Sequence, residues 1–160
     1  MTNKEPTITV DTREQLPLAF EHLKSIPGTL QSGDYSVLGC EEIFAVERKS
    51  IPDLVGCCCG DNRERFEREL HRLRGFQFKR LLIVGTVAEV EQHRYVSKIP
   101  PTSVLGSLSA WEIRFDVPVV WTATPGTAAL LVEKWARYFS REVEKRYQGM
   151  TRAMPEPIPA

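Results

Sequence analysis

Three carboxylates and one ammonium in the first third of the chain could do chemistry together. Asp11 ends the β-branched run TITVDT, Asp34 follows Gly33, and Glu47 precedes Lys49 by two residues in IFAVERKSIPDLVG. Side chains at i and i+2 of a strand share a face, so Glu47 and Lys49 should point one way and Arg48 the other. Carboxylates at neighbouring strand ends repel one another unless a cation is present, and hard oxygen donors suit Mg²⁺ or Mn²⁺. In phosphodiester hydrolysis such an ion activates a water and offsets charge in the transition state, and a nearby ammonium stabilises the same charge. An E-x-K triplet alone is weak evidence, because surface strands often pair Glu with Lys. Asp11 and Gly33-Asp34 give it weight.

The elements that must hold these groups follow from periodicity. TITVDT reads as a first strand, LAFEHLKSI as a short helix closed by Pro27-Gly28, and TLQSGDYSVLG and EEIFAVERK as two strands joined at Gly39-Cys40-Glu41. Ser50 can cap a helix with Pro52 and Asp53 in its first turn. DNRERFERELHRLRG is a second helix, capped by Asp61 or Asn62, with Phe66, Leu70 and Leu73 on one face and Gly75 at its end. RLLIVG is apolar throughout, as in a strand covered on both faces. A break at Pro100-Pro101 precedes a helix over TSVLGSLSAWEIRF, a strand VPVVWTAT and a long helix TAALLVEKWARYFSREVEKRYQ. Early strands that meander and later ones linked through helices indicate an α/β fold with a mixed central sheet flanked by helices. One domain over residues 1–150 is expected, followed by a Pro-rich flexible tail at 151–160.

Composition limits the class. At 160 residues the chain has room for one well-packed domain, and 42% hydrophobic with 26% charged residues is a soluble globular mix. There is no membrane-length apolar run and no hydrophobic signal-peptide core, so the default location is cytoplasmic in a microbial or phage-like setting, or nuclear in a eukaryote. Net charge is zero, but basic residues dominate from Arg63 to Arg80 and acidic ones from Asp34 to Glu42. That distribution suits a protein holding a polyanion and a cation. Arg63, Arg65, Arg68 and Arg72 could follow a DNA backbone, since phosphate contacts fix register without reading bases; a solvated amphipathic helix would also explain them. Cys57, Cys58 and Cys59 are contiguous and cannot all reach one tetrahedral ion, so together with Cys40 they are expected to be reduced thiols. His22, His71 and His93 show no ligand spacing.

VDTRE (Val10 to Glu14), GDY (Gly33 to Tyr35) and VERKSIPDL (Val46 to Leu54) together resemble the XPF family of structure-specific DNA endonucleases. Its nuclease signature is G-D, a variable gap, E-R-K, three residues, D; Gly33-Asp34, Glu47-Arg48-Lys49 and Asp53 fill every position. The resemblance implies a restriction-endonuclease-like core and Mg²⁺- or Mn²⁺-dependent cleavage of branched DNA such as flaps or forks, in repair or recombination. It implies Asp34 and Glu47 as principal metal ligands with Asp11 completing the cluster, and Lys49 assisting water attack. Arg48 would support the site from the other face or contact DNA, and Asp53 would be a supporting carboxylate unless it serves only the helix dipole. Arg13 and Glu14 match the first motif, as DNA-contacting or as structural pairing residues. Tyr35, on the face opposite Asp34, is expected in the core.

Members of that family usually act as dimers and carry a tandem helix-hairpin-helix domain. These 160 residues contain no G-x-G hairpin pairs and no helicase motif, which suits a stand-alone nuclease core or a fragment of a larger protein. Trp111, Phe115, Trp121, Trp135 and Phe139 crowd the last third, and a homodimer through these C-terminal aromatic helices is one expectation; a single well-packed core is the other. The rival to an enzyme is a catalytically silent DNA-binding or scaffolding module. Such a module usually loses its metal carboxylates, and this chain has Asp11, Asp34, Glu47 and Lys49.

Overall fold

β-Branched and apolar runs supply the strands, and the helices between them form where apolar residues recur at helical spacing. The computed structural model of the protein describes residues 4–157. In chain order it contains β1 (Ile8–Asp11), β2 (Ser25–Gly28), β3 (Tyr35–Val37), β4 (Phe44–Ser50), α1 (Ile51–Gly56), α2 (Gly60–Leu73), β5 (Phe78–Val84), α3 (Val87–Glu91), α4 (Pro101–Phe115), β6 (Val119–Thr122) and α5 (Pro125–Ala153). The strands form one six-stranded sheet in the order β2-β1-β3-β4-β5-β6. β3 runs antiparallel to β1 and β4, while β1 with β2, β4 with β5 and β5 with β6 are parallel. Parallel neighbours need crossovers, and α1 with α2, then α3 with α4, provide them. This is the mixed sheet between helices that the sequence indicates.

Alternation along the strands divides the core in two. Ala45, Leu81 and Ile83 face Leu54, Phe66, Leu70 and Trp111 of α1, α2 and α4. Phe44, Val46 and Leu82 face Ala128, Val132 and Phe139 of α5. β5 is thus buried on both sides, as its unbroken apolar run requires. Residues 45, 47 and 49 of β4 share the α2 side, and 46 and 48 the other. Tyr138 and Tyr147 of α5 are exposed, whereas of the five rings expected at a self-association surface Trp111, Phe115 and Phe139 are buried, and Trp121 and Trp135 are partly buried against the two cores. These rings fill the interior and do not form the exposed stripe on which the expected self-association surface rested.

The sequence misjudges one segment. LAFEHLKSI is not a helix: residues 18–24 run without regular structure, and Ser25–Gly28 adds an edge strand beside β1. Its amides find tertiary partners instead. Leu18 N donates to the Tyr35 hydroxyl at 2.8 Å, and His22 N and Leu23 N donate to Glu133 Oε1 at 2.8 and 3.0 Å. Pro27 is tolerated because β2 lies at the edge of the sheet. α3 escapes the periodicity because it has only 5 residues, set by a Thr86–Glu89 capping box. TLQSGDYSVLG keeps only Tyr35–Val37 as strand, and α5 runs past the expected end to Ala153. Of the expected tail, residues 158–160 lie outside the described residues. No helix among the described residues is long and apolar enough to cross a membrane.

Glu133 is 1% exposed, accepts both loop amides through Oε1, and leaves Oε2 without a partner. Glu133→Ala orphans two amides and should lower stability by about 2–4 kcal/mol. The readout is a lower urea midpoint at unchanged m, with Glu133→Gln, which keeps the acceptor, losing less.

Candidate active site

Gly33 is the hinge that brings Asp34 against β4. It adopts φ +80°, a conformation that side chains rarely take, and a Cβ there would sit 3.2 Å from Val46 O and 3.1 Å from Ala45 Cβ. The next residue then bridges three strands. Asp11 N donates to Asp34 O at 2.9 Å, Asp34 N donates to Val46 O at 2.8 Å, and Arg48 N donates to Asp34 Oδ2 at 2.7 Å. The side chain of Asp34 therefore takes a ladder position that β3 leaves vacant beside β4. The C-terminal ends of β1 and β4 and the N-terminal end of β3 meet at one edge, so Asp11, Asp34 and Glu47 gather as the sequence anticipates.

They line a cavity of about 240 Å³ together with Lys49, Arg13, Glu14 and, from α2, Glu69 and Arg72. Asp11 and Glu47 are only 4% and 6% exposed. Lys49 shares the face of Glu47, as the i, i+2 spacing requires, with Nζ 3.3 Å from Glu47 Oε1 and 4.8 Å from the centre of the Phe66 ring. Arg48 points away: its Nη2 lies 3.1 Å from Glu14 Oε1 and donates to Leu16 O at 2.6 Å. It thereby pins the loop after β1 and stays out of the carboxylate cavity.

Burial governs the protonation of these groups. It raises the Asp34 carboxyl to about 6, against the hydrogen bond from Arg48 N, with the charge of Glu14 adding to the rise. Burial also holds Glu47 well above the usual carboxylate range, and the charge of Asp34 adds to it. For Lys49, burial opposes the charge, yet Glu47 and its acidic neighbours keep the ammonium above its ordinary value. Two carboxylates held against desolvation and their neighbours' charge, with a single ammonium beside them, form a site short of positive charge.

Hard oxygens and no thiol in this cavity fit a small divalent ion. Among the described residues, no group of three or more His, Cys, Asp or Glu is gathered closely enough to hold a metal ion by itself. Each oxygen of Asp11 already accepts a hydrogen bond, Oδ2 from Arg13 Nε at 2.8 Å and Oδ1 from Leu30 N at 3.3 Å. These bonds brace Asp11 beside Asp34 and Glu47 in the cavity. Asp34 and Glu47 could hold such an ion directly, with Asp11 beside them. This number suits Mg²⁺, which takes one or two carboxylates and fills its other positions with water and substrate oxygens.

The remaining candidates separate. Asp53 stands in the first turn of α1, where its N–H and carboxylate bond reciprocally with Ser50 Oγ at 3.2 and 2.8 Å, and it lines an adjoining cavity. It is a helix-start residue near the site, not a member of the carboxylate group. Arg13, 70% exposed, bonds Asp11 and Leu30 O. Arg63 is turned toward Glu67, Ser107 and the Trp111 ring, where it fastens α2 to α4. Arg68 lines a cavity away from the carboxylates with His71 and Arg114; Arg65 lines a cavity beside Lys49, and Arg72 borders both the carboxylate cavity and that of Arg68. α2 starts after Cys59 with no side-chain cap, so Asp61 and Asn62 lie inside its first turn and do not cap it. All four cysteines are free thiols, and burial pushes Cys57 up to about 11. Sequence reasoning missed Glu69. Its only signal is its position three residues beyond Phe66, next to the buried stripe of α2.

Comparison with known proteins bears on these features. The ERCC4 domain family model matches residues 10–134. No curated protein sequence matches the chain. Among solved structures, XPF from Aeropyrum pernix superposes with a TM-score of 0.67 at 22% identity, covering 89% of this chain and 69% of that one. XPF from Aeropyrum pernix in complex with DNA superposes with a TM-score of 0.66 at 22% identity, covering 86% of this chain and 66% of that one. The shared feature at this identity is the fold.

The raised carboxyl of Asp34 has a definite sign in stability. An unfolded aspartate releases its proton near pH 4 and the folded one at about 6, so the folded state binds more protons between these values. In chelator the protein should lose stability as pH rises from about 4 to beyond 6, and Glu47 should extend the loss upward. Urea midpoints across this range check it. Asp34→Asn should flatten the fall, and Mn²⁺ should restore stability above pH 6; a midpoint that rises with pH in chelator contradicts the assignment.

Proposed function

Because this chain belongs to the ERCC4 domain family, with the fold of XPF nuclease structures, we propose that it is a divalent-metal-dependent DNA endonuclease acting on branched substrates such as flaps or forks. The observation that carries the reading is the Asp34–Glu47–Lys49 group. Two desolvated carboxylates and an ammonium, projecting from rigid strand ends into one cavity, suit the hydrolysis of a phosphodiester. The DNA complex of the Aeropyrum pernix XPF supports DNA as the polyanion.

Asp34 and Glu47 would hold Mg²⁺ or Mn²⁺. When bound, the ion supplies an activated water and offsets charge on the phosphoryl oxygens. Arg48 N orients the Asp34 carboxylate, and β4 fixes Glu47 through its parallel pairing with β5. Lys49, packed on the Phe66 ring, presents its ammonium to the charge that develops as the P–O bond breaks. Hydrolysis adds water across one bond, leaving a 5′-phosphate and a 3′-hydroxyl. Asp11 with Arg13, and Arg48 with Glu14, keep the surrounding loops in register.

Labelled flap, fork and linear DNA incubated with Mg²⁺, Mn²⁺ or chelator test this directly. Cleavage should require a cation, prefer the branched substrates, and fall by about a hundredfold or more in Asp34→Ala and Glu47→Ala. Lys49→Met should cost about 10²–10³-fold in rate with little change in DNA affinity. Cleavage that survives both carboxylate substitutions sinks the site assignment, and DNA binding with no cleavage in either cation would indicate a silent module.

A further inference from the structure

The basic residues of α2 sort onto two faces. At 100° per residue, Asn62, Arg65, Glu69 and Arg72 fall on a common flank of the helix, and Arg68 falls outside it, next to Arg72. This flank walls three cavities in succession. The first, about 450 Å³, is lined by Asn62, Arg65 and Glu69 with Lys49. The second is the carboxylate cavity of about 240 Å³, which shares Lys49 and Glu69 with the first and adds Arg72. The third, about 510 Å³, shares Arg72, Gln31 and Ser32 with the second and ends at Phe76. From residue 62 to residue 72 the path covers about 15 Å along the helix axis, and Phe76 follows beyond the helix end.

We infer that this trench is the path of one nucleic-acid strand, with the reacting phosphate over Asp34 and Glu47, the phosphate on one side at Arg65 and that on the other side at Arg72. The inference rests on the nuclease reading above and specifies how that site would hold its substrate. Three features point to it. Arg65 and Arg72 lie on opposite sides of the carboxylate level, about 10 Å apart along the axis, a span greater than one phosphate step. Both are exposed, and neither has a carboxylate partner among the described residues: Arg65 Nη2 bonds the neutral Asn62 Oδ1 at 3.0 Å. Arg63, by contrast, is neutralised by Glu67 at 3.1 Å. Glu69 between the two arginines disfavours an anion at the centre until positive charge is supplied there, whereas Arg65 and Arg72 attract it at either end, Arg72 against Glu41 and Glu42 of the third cavity.

The test is equilibrium binding of a fluorescent single-stranded oligonucleotide to the full chain, in chelator, across a salt series. Each phosphate contact on a single strand contributes about 0.7 to the slope of log affinity against log salt. Arg65→Ala and Arg72→Ala should each lower the slope by about 0.7 and low-salt affinity by about tenfold. The double variant should lose about 1.4 from the slope. Arg68→Ala should leave the slope unchanged, and Arg72→Lys, which keeps the charge, should restore what Arg72→Ala removes. Unchanged slopes in Arg65→Ala and Arg72→Ala, or an equal loss in Arg68→Ala, overturn the strand path, and cleavage by the parent protein would leave the nuclease reading standing. A parent protein that binds no oligonucleotide at any salt overturns the strand path, while the nuclease reading is decided by the cleavage assay.

Discussion

The contact on which the site depends is the 2.7 Å hydrogen bond from Arg48 N to Asp34 Oδ2. A backbone amide near the end of β4 would otherwise lack its ladder partner, because β3 has already turned away at Gly33. The Asp34 side chain fills that place, so one carboxylate both completes the sheet and faces the cavity. Its backbone ties β1 to β4 through Asp11 N and Val46 O. Three strand ends are thereby held at one level, and the charges they carry are brought together at the cost of desolvation. A charge held by backbone bonds on both sides cannot swing into solvent, which is the rigidity a catalytic carboxylate needs.

The helices that follow β4 convert this edge into a cavity. Ser50 caps α1 immediately after Lys49, so the chain leaves the sheet without slack. α2 then presents Phe66, Leu70 and Leu73 to the core, a polar flank with Glu69 to the strand ends, and Arg68 with His71 to a third side. Phe66 lies at the boundary between the core and the polar flank, where its ring supports the Lys49 ammonium. The same helix thus stabilises the fold by burying apolar surface and walls the site with its remaining side chains, and Arg63 locks its rotation by bonding α4. α5 on the opposite face contributes nothing to the cavity. Its buried Glu133 holds the irregular chain that covers the other core.

Much of this was legible in the chain itself. Residues 47 and 49 fall on one face because strands alternate, and the buried character of RLLIVG and the Ser50 cap follow from local chemistry of the same kind. The segment LAFEHLKSI misleads because its helical spacing is real, but Tyr35 and Glu133 accept from its amides and Ile8 N of β1 donates to its Lys24 carbonyl, partners that no local rule contains. The arginines of α2 mislead in a related way. As a run of charge they look equivalent, and only packing against Trp111 and Ser107 turns Arg63 toward α4 and leaves it half-buried.

The sequence by itself determined the alternation of strands and helices, the carboxylates at strand ends, and the pairing of Glu47 with Lys49, since each depends on periods of two or 3.6 residues and on side-chain chemistry. The tertiary structure decided that Asp34 takes a backbone partner, that the oxygens of Asp11 each accept a hydrogen bond, that Arg48 anchors a loop, that Glu69 and Arg72 share a wall with the carboxylates, and that Arg65 lines the adjoining cavity. Those outcomes depend on hydrogen bonds and charges between residues far apart in the chain, whose distances are set only when the sheet and its helices pack.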